Sequence, residues 1–155
     1  MAINRGRVWL GGIAGGVVWV IWNLIVTFLV IGAPRYAEMQ ASGQFLKESR
    51  YPAFGLQWTV LLIILGIIVA HLYAWSRQTL GPGPMTALKI GLLVGFASGF
   101  PSNFGTASWA PMPRIFPLGW MLELWVGAVL ATLVAGALYK AQDEPQRSDA
   151  RAAGR

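Results

Sequence analysis

Residues 8–31, VWLGGIAGGVVWVIWNLIVTFLVI, carry no charge over a length greater than the roughly 20 residues that cross a hydrocarbon core of about 30 Å. The stretch reads as a membrane-spanning helix, and the rest of the chain repeats its pattern. Three further apolar runs follow: 54–75, with the dense VLLIILGIIVA stretch; 86–104, less hydrophobic and interrupted by Pro101; and 118–139. Together they use most of the 155 residues and leave no room for a separate soluble domain. Composition agrees, with 55% hydrophobic and 12% charged residues, where a soluble domain carries about 25% charged. The expected class is all-α, an integral membrane four-helix bundle with antiparallel neighbours, forming one domain over residues 1–140. A cleaved signal peptide competes for the first run because Arg5 and Arg7 precede it, but the run far exceeds the roughly 7 to 15 residues of a signal h-region.

The links between runs differ in kind. APRYAEMQASGQFLKESRYP, after the first, mixes charges with turn formers and suggests one short interfacial helix with Tyr36, Met39 and Leu46 on one side. RQTLGPGPM, after the second, is short and stiff, which predicts a helical hairpin. ASWAPMPRIFP, after the third, is proline-rich with Trp109, Phe116 and Trp120 near it, as expected of a loop at headgroup level. Residues 141–155 are almost free of apolar side chains and read as a disordered tail.

The net charge of +6 is explained by topology. With four spans, both termini and the Gly-Pro link share one side, which carries Arg5, Arg7, Arg77, Lys89, Lys140, Arg147, Arg151 and Arg155. The other side carries only Arg35, Lys47, Arg50 and Arg114. The positive-inside rule then predicts a multi-pass protein of the inner (cytoplasmic) membrane with both termini in the cytoplasm. A nucleic-acid partner is not expected, because no basic patch interleaved with aromatics lies outside the spans. The partners expected are the lipid bilayer and, through any surplus packing face, a second copy or a larger membrane complex.

Helices in lipid associate through close approach over small residues. Gly12 and Gly16, beside Gly11 and Gly15, form overlapping GxxxG patterns; Gly91, Gly95 and Gly99 form a stripe in the third span, and Gly127 heads a Gly-Ala-Ala edge in the fourth. Glu123 is the one charge deep within a span, and such a charge is expensive unless protonated, paired or facing a wet cavity. It recurs with Gly119, Gly127, Ala131 and Ala135 every four residues, so it faces other helices. At about 1.5 Å per residue, Glu123 lies roughly 8 Å from the outer end of its span and Asn23 roughly 22 Å from the inner end of its own, which brings both to one level. The expected site is a polar layer of Glu123 and Asn23 with Gln57, Thr59, Asn103 and Arg114 around it. Two readings stay open: an interhelical hydrogen-bond cluster that fixes helix pairing, or a site for a proton, cation or polar headgroup.

No catalytic constellation is present: the sequence contains no HExxH, GxSxG or phosphate-binding loop, and no second intramembrane acid pairs with Glu123. Without cysteine, thiolate chemistry and Cys-ligated metals are excluded. His71, the single histidine, is a weak candidate metal ligand; beside Tyr73, Trp75 and Arg77 it reads first as an interfacial residue. Trp9, Trp75 and Tyr139 on one side, and Trp58, Trp109 and Trp120 on the other, read as aromatic belts. Trp19 and Trp22 sit deeper.

Three stretches together, RVWLGGIAGGVVWVIWN, LYAWSRQTLGPGPMTALKIG and WMLELWVGAVLATLVAGALYK, resemble a family of small bacterial four-span membrane proteins of unassigned activity. The resemblance implies a fold and no chemistry. The expectation is a membrane protein without enzymatic activity or cofactor, serving as an accessory or structural subunit that binds lipid or another hydrophobic ligand between its helices. A small transporter or channel with Glu123 as its protonatable group is the alternative, and a pigment- or haem-binding subunit using His71 the third.

Overall fold

The computed structural model describes residues 3–139, so the predicted tail at 141–155 lies outside the described residues. Helix α1 spans Arg5–Ile25 and runs on into a π-helical turn, Val26–Ile31. The others are α2 (Ala33–Ala41), α3 (Phe54–Leu80), α4 (Pro84–Trp109) and α5 (Ile115–Leu138), with no strand among the described residues. Residues Arg5–Ile31 and helices α3, α4 and α5 are each long and apolar enough to cross a membrane. All four outrun their apolar runs at one end or both: α1 starts three residues earlier, α3 continues through Ser76–Leu80, α4 extends at both ends and α5 starts at Ile115.

Local chemistry fixes the ends. Asn4 caps α1, its side chain accepting from Arg7 N at 3.2 Å. Gly81, at φ 83°, stops α3 in a conformation that favours glycine, and Pro84 opens α4 where a missing N–H costs nothing. The hairpin link is pinned from both sides: Gly83 N donates to the Tyr73 hydroxyl at 3.2 Å and the Thr86 hydroxyl donates to Gly81 O at 2.8 Å.

Pro101 was expected to interrupt the third span. Instead α4 runs through it to Trp109. Asn103 Nδ2 donates to Gly99 O, and the Thr106 and Ser108 hydroxyls donate to the carbonyls of Ser102 and Phe104, all at 2.8–2.9 Å, so the polar side chains around the proline are satisfied within the helix.

Helix α5 lies at the centre, touching α1, α3 and α4, while α1 packs about equally on α3 and α5, and α4 chiefly on α5. The two helices of the Gly-Pro hairpin touch each other only sparingly. The glycines decide this. A Cβ on Gly12 or Gly16 would lie 2.6 Å from the Cα of Ile67 or Ile63 in α3, and one on Gly15 would lie 2.6 Å from Ala131 O in α5. The two overlapping patterns of the first span thus face two different helices. Gly91 and Gly95 of α4 meet Val129 and Trp125 of α5 at 2.6 Å in the same construction, Gly99 meets Leu124, and Gly127 receives the Trp19 indole.

The buried side chains form three layers. At the terminal side lie Val8, Ala70, Tyr73, Ala87 and Tyr139; in the middle Trp19, Leu62, Val69 and Ala128; at the far end Val26, Ile31, Met39 and Phe116. Helix α2 is the predicted short helix, with Met39 buried and Tyr36 half-buried. Leu46, placed beside them by the sequence, lies past the helix end and is 60% exposed; Phe45 takes that role, packing at 5.0 Å on Phe116.

Candidate functional site

Each span brings two or three side chains to the far end of the bundle. The last full turn of α1 presents Asn23 and Leu24, and the π-helical turn after it presents Thr27. Helix α2 folds back to supply Tyr36 and Gln40, the first turns of α3 supply Phe54 and Trp58, α4 supplies Asn103, and α5 supplies Trp120 and Glu123. Together they border a half-open cavity of about 730 Å³, within the range of roughly 300–1,000 Å³ of small-molecule sites.

Glu123 forms part of its wall and is only 3% exposed. Trp58 Nε1 donates to its Oε1 at 3.2 Å, and the Asn23 side chain faces the same carboxyl. The layer predicted from helical rise thus brings Asn23 and Glu123 together across the bundle. Two aromatic pairs brace the walls. Phe54 stacks on Trp58 with ring centroids 6.0 Å apart, and Phe45 stacks on Trp120 at 6.4 Å. Trp120 Nε1 donates to the Tyr36 hydroxyl at 3.5 Å. Burial pushes the Tyr36 phenol above its ordinary value, which keeps it neutral.

The remaining predicted residues divide. Thr59 and Asn103 line the cavity, although the Thr59 hydroxyl is spent on Gly55 O and the Asn103 amide on Gly99 O. Gln57 is exposed and donates to Pro52 O at 3.1 Å, away from the cavity. Arg114 is exposed at the start of α5 and does not line it. Trp58, Tyr36 and Trp120 were not among the predicted site residues. The signal for Trp58 was its place four residues before Leu62 and eight before Gly66, on the buried row of α3.

His71 lies at the other end of α3, half-buried. Its Nδ1 pairs with Ile67 O at 2.9 Å, and its ring meets Trp9 and Trp75 edge-on at 6.1 and 5.9 Å. No group of three or more metal-ligating side chains occurs among the described residues.

Comparison with protein-family models, with curated proteins and with solved structures finds no match.

Proposed function

We propose that this is a non-enzymatic membrane protein that holds a small hydrophobic ligand with a polar end in the cavity at the far end of its bundle. One observation carries the reading: a ligand-sized cavity walled by all four spans and α2, mostly apolar, with one buried carboxyl in its wall. Concave, mostly apolar spaces of this size with a few convergent polar groups are where small molecules ordinarily bind.

The test is native mass spectrometry of the protein extracted in mild detergent, beside a Thr59→Trp variant whose indole fills the cavity from a position where no interhelical bond is lost. A small molecule carried by the wild type and absent from the variant supports the reading. Equal retention, or none in either, overturns it.

Transport is the second reading, favoured because the cavity reaches Glu123. Proton movement into proteoliposomes on adding a ligand, lost in Glu123→Gln, would support it. Nothing further favours the haem reading, and an absorption spectrum of the extracted protein checks it.

A further inference from the structure

We propose that the cavity selects lipophilic organic cations, with the positive head seated between the Glu123 carboxyl and the rings of Trp58, Trp120 and Tyr36. The proposal rests on the reading of the cavity as a ligand site and names the chemistry of its occupant.

The sign of the site comes first. Among the described residues no lysine, arginine or histidine lines the cavity, whereas a carboxyl does. Among the described residues Glu123 accepts from one neutral donor, the Trp58 indole N–H, and the neutral Asn23 side chain lines the same cavity. A carboxylate offers about four acceptor positions, so these neutral neighbours leave it able to receive a cation. A phosphate or fatty-acid headgroup would bring a second negative charge into a low-dielectric space without a counter-charge, where repulsion is strongest.

The walls then narrow the kind of cation. Hard inorganic ions such as calcium take about 6–8 oxygen ligands, whereas this wall is mostly apolar, includes the rings of Tyr36, Phe54, Trp58 and Trp120, and among the described residues has one carboxyl as its only charged group. An ammonium or phosphonium centre dressed in apolar groups is attracted to the faces of Trp and Tyr and is the ligand for which aromatic cages are suited. The rings are also fixed in advance. Phe54 and Phe45 each cover a face of Trp58 and Trp120 at interplanar angles of 23° and 22°, while hydrogen bonds tie Trp58 to Glu123 and Trp120 to Tyr36. Such preorganisation lowers the cost of binding. Leu24 and Leu124 complete the apolar part.

The experiment uses the full chain in mild detergent and three probes of similar bulk and different charge: tetraphenylphosphonium, triphenylphosphine oxide and tetraphenylborate. Affinities are measured by equilibrium dialysis for the wild type and for Glu123→Gln, which can still accept from Trp58. The expected result is binding of the phosphonium at least about 10-fold tighter than of either other probe, with the preference abolished by Glu123→Gln. Equal binding of all three, or preference for the borate, overturns the cation assignment and leaves the cavity reading standing. A cation preference that survives Glu123→Gln removes it from this cavity. Should no probe bind, the cavity reading falls and this proposal with it. The wild-type charge series decides the matter even where the variant does not fold.

Discussion

Replacing Gly66 with alanine tests the packing on which the bundle rests. A Cβ there would lie 2.5 Å from Gly16 N and 2.6 Å from both Gly12 O and Gly16 Cα, all backbone atoms of α1. Ordinary contact begins near 3.4 Å, so α1 and α3 must part by about 1 Å, a gap that forfeits a quarter to a half of the dispersion attraction between facing atoms. Overpacking typically costs about 1–3 kcal/mol. Because backbone cannot rotate away as a side chain can, the upper half of that range applies. Alanine recovers about 0.5–1 kcal/mol of helix preference, leaving a net loss of about 2 kcal/mol, or roughly 30-fold in the unfolding equilibrium. Gly105→Ala supplies the control, since nothing lies within 4 Å of the Cβ it would gain; that variant should be neutral or slightly stabilised. The assay is reversible unfolding in mixed micelles, followed by far-UV circular dichroism. Stabilities of Gly66→Ala and Gly105→Ala within about 0.5 kcal/mol of each other would refute the close α1–α3 crossing.

Three further outcomes are expected. Glu123→Leu leaves the Trp58 N–H without its acceptor, and interhelical bonds of this kind average about 0.6 and reach about 1.7 kcal/mol; a thermal melt should fall accordingly, while a rise would mean that the layer is retained for a ligand at the expense of stability. Ala53→Gly should stabilise the protein by up to about 1 kcal/mol in the same melt, because Ala53 opens α3 from a left-handed conformation at φ 55°. Tyr36, its phenol raised by burial, favours the fold in its neutral form. Its contribution is full below the ordinary value of about 10 and is lost as pH rises through the higher folded value, so Tyr36→Phe should flatten the alkaline limb of a stability–pH curve.

The spans were legible because length and absence of charge are sufficient signals in lipid, where every backbone group must be satisfied by helix. The level shared by Asn23 and Glu123 was legible too, because rise per residue is nearly invariant. What escaped the sequence depends on direction. Gln57 and Trp58 are neighbours in the chain but lie about 100° apart around the helix, so one is exposed while the other reaches Glu123. Trp58 and Trp120 resemble belt residues by depth alone, and only the packing of α2 against Phe116 shows that an additional element covers that end. Pro101 removes one N–H from a helix of 26 residues, a local loss that the sequence alone does not distinguish from a break.

The site follows from where the close-packed glycines stop. In α1 they end at Gly16, in α3 the single one within the packed stretch is Gly66, and in α4 the last is Gly99; each meets a neighbouring helix within 2.5–3.1 Å of the Cβ it lacks. Past that level the helical glycines of α3 and α4 are Gly55 and Gly105, and around each the space within 4 Å is empty. Side chains at this end are instead bulky: Trp58, Trp120, Phe54 and, from outside the spans, Tyr36. Rings of this size cannot interdigitate at the separation that glycine permits, so helices held close below must leave room above. Glu123 sits between Gly127, which receives the Trp19 indole, and Gly119, where an added Cβ would lie 2.8 Å from the Ile31 side chain, all on one face of α5. The carboxyl is therefore buried at 3% exposure while bordering a cavity that opens at the far end of the bundle. Passage to the opposite side would require Trp19 to leave Gly127 and the crossing of Gly12 and Gly16 with α3 to open. The same contacts that stabilise the bundle thus make the cavity a cup with a closed floor, which favours holding a ligand over passing it through.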